Sequence, residues 1–594
     1  MKRTSLALLL LLSVAGLAAQ TSERVDTAAI EKIREQGLKQ SKVMDHLFQM
    51  TDVRGPRLTG SPAIESAGDW VVETLKAWGL QNARKERWAF GTGWSLNRFH
   101  ATMTAPQTMP IIGLPKAWST GTKGMVTSEV VRPEITNAQE AEQWKGKLRG
   151  KIVLTQPTRE VRMLEGRIVL RMTDKEIEEA LTPPATAPAG RAGGAGGRAG
   201  GAGGRAGGAG GGRGAGAPGA APAFNVNQFY ADEGVVALFD RGANTDMSAG
   251  GSDLTWQTQR VDGGTVFVGG ATGGGRSSAN TGVPQVTLAV EHYNRMVRLV
   301  DAKVPVMVDI NVDVTFHPET PERLNGFNIV AEMPGTDLAN EIVLIGGHFD
   351  SWHGATGATD NATGSAAMME VLRILKDAGL KPRRTIRIAL WGGEEQGLLG
   401  SRAYADQHLG TPDAPKPGQA LHSAYFNLDN GTGKVRGIWM QSNPLVAPIF
   451  SAWIAPLKDL GVEILGPRSV TSTDHTNIDR TGVPGFQFVQ ERLEYNSRTH
   501  HSNMDYYDRV QAEDLKQTAT VAAVFAYHTA MRDQKLPRKF LEAILLELRN
   551  GGLVESYRGK LGGYRLARAP QKISFGEIIR LIERKKLTSW TALQ

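Results

Sequence analysis

Ile342-Val343-Leu344-Ile345-Gly346-Gly347-His348-Phe349-Asp350-Ser351-Trp352 is the stretch on which the reading of this chain turns. Its first four residues are apolar with no polar alternation, as a strand buried on both faces requires, and the run ends in a His-x-Asp. The pattern recurs twice. Ile386–Leu390 runs into Trp391-Gly392-Gly393-Glu394-Glu395-Gln396-Gly397, and Ala424–Leu428 runs into Asp429-Asn430. A helical stretch, Ser365 to Ala378, lies between the first two runs and follows Thr359-Asp360-Asn361-Ala362-Thr363-Gly364. Strand–helix–strand alternation across 325–530 predicts an α/β fold, a doubly wound mixed sheet covered on both faces.

In open α/β sheets, ligands bind beyond the carboxyl ends of the strands, so acidic and histidine clusters at three such ends can converge. Arg498-Thr499-His500-His501-Ser502-Asn503-Met504-Asp505 adds a fourth cluster. Imidazole and carboxylate donors suit zinc or a related transition metal. Five candidate ligands, one of them a bridging carboxylate, suffice for two ions, and a pair of ions about 3.5–4 Å apart can activate water and polarise a carbonyl. Adjacent Glu394 and Glu395 divide between two tasks, one binding metal and the other taking a proton from water. Each residue alone has a plainer use: Asp360 as a helix cap, Asp429 as a turn former, Glu-Glu as a solvated pair. Their joint occurrence, in order and at strand ends, points to a metal site.

At these residues the chain resembles metallopeptidase family 28, the cocatalytic-zinc exopeptidases that include aminopeptidases and carboxypeptidase Q-like enzymes. Gly-His-Phe-Asp-Ser-Trp, Leu-Trp-Gly-Gly-Glu-Glu-Gln-Gly and His-His-Ser-x-x-Asp carry the resemblance, which covers roughly residues 30–535. Leu380-Lys381-Pro382-Arg383-Arg384-Thr385, Thr473-Asp474 and Gly482-Val483-Pro484-Gly485 are nearest to the carboxypeptidase Q type. The resemblance implies two Zn2+ ions bridged by Asp360, with His348 and Asp429 completing one and Glu395 and His501 the other. It implies Glu394 as general base and Asp350 as the group that orients His348. The chain departs from the pattern twice: Asn361 stands where many relatives have a second acid, and His500 where some have a tyrosine. Either His500 or His501 could therefore ligate, with His501 favoured because His-Ser-x-x-Asp starts there. Tyr495 and His500 are the candidates for stabilising an oxyanion.

Towards the N-terminus, Ile30, Ile33, Leu38, Val43, Leu47 and Met50 read as helix, followed by the turn-rich Gly55-Pro56-Arg57-Leu58-Thr59-Gly60-Ser61-Pro62 and a second helix through Val71, Leu75 and Trp78. Residues 121–285 change texture to short β-branched runs, among them Gly150–Leu154 and Gly234–Leu238, in the place where the family often carries a protease-associated insert. Within it, 190–216 is almost wholly Gly, Ala and Arg, a composition that predicts a flexible surface loop. Lys2 and Arg3 before an apolar Leu6–Leu17 and small Ala18 and Ala19 form a signal-peptide pattern, so an exported protein, periplasmic or extracellular, is expected. The expected divisions are 1–20 signal peptide, 21–120 the first part of the peptidase domain, 121–285 insert, 286–535 metal-binding domain and 536–594 tail.

The chain has 594 residues and no cysteine, which excludes disulfides, thiolate zinc sites and cysteine nucleophiles. Its net charge of +8 is concentrated at the end: the 57 residues from Arg538 carry +7. That tail resembles, over about 50 residues, the recognition helix and wing of IscR-like winged-helix repressors. Its Leu-Glu-x-Ile-Leu, Gly-Gly-Leu-Val-Glu-Ser and Gly-Gly-Tyr-Arg-Leu-Ala-Arg stretches carry the likeness. Arg558, Lys560 and Arg565 would face phosphates in a DNA-binding reading. That reading conflicts with export, and a fused fragment without function is the expectation.

The expected activity is hydrolysis of peptide bonds at the ends of peptides, aminopeptidase first, with a carboxypeptidase Q-like carboxypeptidase or dipeptidase as the alternative and a DNA-binding regulator as the alternative of another class. A peptide is the expected partner. Nucleic acid is not, nor is lasting membrane insertion after signal removal, and a homodimer is left open.

Overall fold

The computed structural model describes residues 23–161, 167, 169–183, 224–242, 263–267, 269–271, 282–539, 548–549, 551–557, 563–574, 576–578 and 581. The expected signal peptide, the Gly/Ala/Arg-rich loop, Arg558 and Lys560 lie outside them. No helix among the described residues is long and apolar enough to cross a membrane.

The N-terminal pattern folds into three helices, α1 (Thr27–Arg34), α2 (Val43–Met50) and α3 (Pro62–Ala77). Ser61 caps α3, its hydroxyl accepting the Ile64 N–H, with Pro62 in the first turn where no donor is needed. Eight strands form the main sheet: β1 (Gln81–Trp88), β2 (Gly326–Met333), β3 (Leu338–His348), β4 (Arg384–Trp391), β5 (His422–Asn427), β6 (Val435–Trp439), β7 (Ile464–Gly466) and β8 (Gly485–Gln490). Their spatial order is β1-β2-β4-β3-β5-β8-β6-β7. The centre, β4-β3-β5-β8, is parallel, while β1, β2 and β6 join antiparallel, so the sheet is mixed as expected. From β3 the chain crosses to β4 on one side and returns to β5 on the other, which makes the carboxyl end of β3 a switch point.

The three apolar runs do occupy central strands, and their period of two divides them between faces. Val343, Ile345, Ile386, Ile388, Leu390, Ala424 and Phe426 join one core with α4 (Thr363–Asp377) and α5 (Ala512–Met531). Leu344, Ala389, Trp391 and Tyr425 join a smaller core on the opposite face. Glycine precedes His348 for a packing reason: a Cβ on Gly346 would lie 2.1 Å from the Ala389 carbonyl oxygen.

A second eight-stranded sheet contains the predicted strands at 150–154 and 234–238 as Ile152–Leu154 and Ala237–Asp240. Val126–Val131 and Gln285–Leu288 also belong to it, and Gly93–Ala105, Met109–Pro110, Gly113–Pro115 and Met307–His317 complete it from outside the 121–285 stretch. In the tail, Val554–Tyr557 pairs antiparallel with Gly563–Leu566, and Arg565 donates to Glu555 across them.

The start of α2 is tied to α4 by a buried carboxylate. Glu370 on α4 accepts from Ser41 Oγ and Lys42 N–H at 2.9 Å each and from Arg373 at 2.8 Å, with His46 Nε2 at 3.2 Å. Burial alone would raise this carboxyl; His46 and Arg373 override it and lower it to about 2. Its ionised form is therefore stabilising above the ordinary value of 4.5, and that stabilisation is lost as pH falls towards 2. Glu370→Gln is expected to cost about 3 kcal/mol at pH 7, because one half of a buried pair is removed. The difference from wild type in urea unfolding should shrink between pH 5 and 3; a difference that stays constant over that range would show that the carboxylate is not the origin.

Candidate functional site

The site lies at the switch point. His348 is the last residue of β3, and its carbonyl accepts the Ser365 hydroxyl of α4 at 2.7 Å. Nδ1 of the ring is 3.0 Å from the Asp350 main-chain oxygen, which leaves Nε2 facing the next residues: Asp360 Oδ1 at 3.1 Å and Asp429 Oδ1 at 3.7 Å. Asp360 sits just before α4, and Asp429 just after β5, where its Oδ1 accepts the Asn430 N–H at 2.6 Å. The other oxygen of Asp360 faces His501 Nε2 at 3.3 Å and His500 Nε2 at 3.5 Å, and His501 Nε2 is 2.8 Å from Glu395 Oε2. The structure thus brings His348, Asp360, Asp429, Glu395 and His501 together, with Asp360 between the two groups.

Asp350 is fully buried, and its carboxylate accepts the backbone N–H groups of Glu394 and Glu395 at 3.1 and 3.3 Å. Its Oδ1 is 3.7 Å from His348 Nδ1, so it is the Asp350 carbonyl that holds the ring, while the carboxylate positions the Glu-Glu turn. Asn361 spans from the Leu428 carbonyl, to which it donates at 2.9 Å, to the Gly364 N–H, which it accepts at 3.1 Å. It ties the Asp360 and Asp429 loops together without adding charge.

The electrostatics are those of crowded carboxylates. Burial raises Glu394 well above the carboxylate range, and Asp429, Asp474 and Glu395 add to it against His348. Burial together with Asp360 pushes Glu395 up to about 7, against His501. Burial would lower His348, but Glu394, Asp429, Asp350 and Asp360 outweigh it and hold the imidazole raised. Two oxygens of the cluster, Asp360 Oδ2 and Glu395 Oε1, are buried with no hydrogen-bond donor. Buried charge of one sign with orphaned acceptors and imidazoles beside them is a donor set suited to zinc. His348, Asp360 and Asp429 form one group whose ligand atoms lie within 4.8 Å of one another, and Asp360, His500 and His501 form a second.

Two residues without an assigned role in the motifs organise this cluster. Arg57, fully buried, donates Nε to the Phe349 carbonyl (2.8 Å), Nη1 to Met50 and Thr356 (2.9 Å each) and Nη2 to Gly357 (2.8 Å). It clamps the loop after His348 to the loop before Asp360. Asp505, the last residue of the His-His-Ser-x-x-Asp motif, accepts the Thr359 and Asp360 N–H groups at 2.6 and 3.0 Å. The pocket beside the cluster is lined by Trp352, Ala355, Asp360, Glu395, His501 and Asp505 among others, and the Trp352 Nε1–H is buried without an acceptor. Tyr495 is buried with its ring 4.5 Å from that of His500. Segments between the strands of the second sheet reach the site too. Asn503 donates Nδ2 to the Gly264 carbonyl and accepts the Val266 N–H, and Leu170 bridges to Leu493.

Residues 328–526 match peptidase family M28, and residues 524–591 match a family of iron-dependent transcriptional regulators. Both resemblances drawn from the sequence therefore hold, the first over the third of the chain that bears the cluster. Carboxypeptidase Q of Mus musculus is 29% identical over 259 residues, 43% of this chain and 52% of that protein. Aminopeptidase YwaD of Bacillus subtilis (strain 168) is 26% identical over 201 residues, 33% of this chain and 42% of that protein. The chain thus spans about half the length of the curated relatives it matches. The crystal structure of a peptidase M28 precursor from Shewanella amazonensis SB2B superposes with a TM-score of 0.56 at 23% identity, over 86% of this chain and 97% of that one. The α/β architecture is shared with it.

Proposed function

We propose that this chain is an exported, metal-dependent exopeptidase that cleaves peptide bonds at peptide ends, with the amino end as its first substrate. The observation that carries the reading is that His348, with Asp429 beside it, faces one oxygen of Asp360 while His501, with Glu395 beside it, faces the other, next to the further carboxylate of Glu394. Relatives named both aminopeptidase and carboxypeptidase support the reaction class. A carboxypeptidase Q-like preference for the carboxyl end is the second reading, favoured by the 29% identity to carboxypeptidase Q. The division into a metal-binding domain at 286–535 and an insert at 121–285 belongs to the same proposal, as does export directed by the first 20 residues.

Two zinc ions, one held by His348, Asp429 and Asp360 and the other by Asp360, Glu395 and His501, would supply Lewis acidity and an activated water. The protein's own part is to place a base and keep it in place. Glu394 takes the proton from the attacking water and returns it to the leaving amine. Asp350 fixes the backbone of that turn through two N–H groups. Asp505 and Arg57 fix the Asp360 loop, so that its carboxylate is oriented before any ligand arrives. The tail contributes no step.

Amino-acid release from one tripeptide, offered free, N-blocked and C-amidated, with and without chelator, tests the reading. Chelator-sensitive release lost on N-blocking alone is the expected result. Loss on C-amidation alone would assign the carboxyl end instead. Chelator-insensitive release, or none from any form, would overturn the proposal.

A further inference from the structure

Consecutive side chains on an extended backbone project to opposite sides, so two neighbouring histidines do not ordinarily serve one site. Here they face the same way. His501 has φ of +55°, in the left-handed region that non-glycine residues seldom occupy, and this turn lays its ring against that of His500, with centroids 3.8 Å apart and planes 25° apart. Both Nε2 atoms approach the same oxygen, Asp360 Oδ2, at 3.3 and 3.5 Å. His500 is nine-tenths buried. The opposite oxygen of Asp360 faces His348.

We propose that His500 is itself a metal ligand, so that the two metal positions are unequal. One would have His348, Asp429 and Asp360 as protein donors. The other would have Asp360, Glu395, His501 and His500. A zinc with three protein donors keeps a position for water or substrate, whereas four protein donors close the tetrahedron. The His348 side is then the open, exchangeable position and lies beside Glu394, while the histidine-pair side is the closed, tightly held one. This rests on the metal-dependent reading above but adds a ligand and an order of affinity that the reading does not need.

The test is zinc binding by the full-length apoprotein against a competing chelator, with zinc per chain as the readout. Wild type should take up two equivalents in two steps separated by at least about tenfold. His500→Gln should weaken the tighter step by about 100-fold or more, above the 10–100-fold range typical of residues that only support a ligand, and leave the weaker step within about threefold. Both steps unchanged would overturn the inference, and a fall in kcat without a change in affinity would assign His500 to contact with the reacting oxygen instead. A second measurement needs no variant. In the cobalt-substituted wild-type protein, hyperfine-shifted imidazole N–H resonances should number three, two of them present at the first equivalent. A total of two would exclude His500. Failure of the apoprotein to bind any zinc would instead sink the function proposed above.

Discussion

Glu394→Gln should lower kcat by about 10²–10⁴-fold while leaving zinc content and the unfolding midpoint close to wild type. The magnitude is that of removing a positioned proton acceptor. Gln preserves the shape of the side chain, and the contact that positions residue 394 is made by its main-chain N–H to Asp350, which the substitution does not touch. The affected step is proton transfer, so KM should move less than kcat. Removing one carboxylate from a cluster that burial and like charges already strain should, if anything, stabilise the apoprotein. Loss of turnover with unchanged or slightly raised stability is thus the signature of a base. Retention of near-normal kcat would move the role to another carboxylate. Joint loss of zinc would mean that Glu394 binds metal and that the division of labour between the two glutamates is wrong.

What was legible in the sequence, and what was not, follows from how far each signal extends along the chain. Ile342–Ile345 reads as a central strand because a strand covered on both faces has no room for polar residues, and the cores on its two sides confirm that both faces are covered. His348, Asp360, Glu395 and Asp429 were visible as a set because each sits within a few residues of a strand or helix end that the apolar pattern marks, and His501 only through the His-His-Ser-x-x-Asp motif. Gly93–Ala105 was not visible as part of the second sheet. It mixes exposed and buried positions, and its pairing with Met307–His317 spans about two hundred residues that no local pattern connects. Arg57 was legible only as part of a turn-rich loop. All four of its acceptors are backbone carbonyls, three of them nearly three hundred residues away, and a carbonyl leaves no complementary residue type in the sequence to betray the contact. The task of Asp505 is hidden in its motif for the same reason, since its partners are the N–H groups of Thr359 and Asp360. The turn at His501 was likewise hidden, because an imidazole does not announce a left-handed backbone.

Arg57→Met is expected to destabilise the apoprotein by about 4 kcal/mol or more. The residue has no exposed surface, and its guanidinium donates to the carbonyls of Met50, Phe349, Thr356 and Gly357. A buried acceptor stripped of its donor costs about 1–3 kcal/mol, and methionine fills the volume without satisfying any of the four. The charge matters as well. Burial lowers the guanidinium to about 10, with Asp505, Asp350, Asp360 and Glu395 opposing that fall, so it stays cationic at neutral pH inside an acidic cluster. Without it those carboxylates repel one another unscreened, and bound zinc should recover part of the lost stability by offsetting that repulsion. Arg57→Lys should fall between wild type and Met, because an ammonium keeps the charge but lacks the fork that reaches both loops at once. Against a typical total of about 5–15 kcal/mol, the Met variant forfeits a large share of the reserve. Urea unfolding of the apoprotein and zinc-loaded forms decides the matter. A loss below about 1 kcal/mol in the apoprotein would mean that the four carbonyls find other donors and that the two loops hold the cluster without the clamp. A full loss that zinc does not offset would assign the effect to hydrogen bonding alone, with no part for the charge.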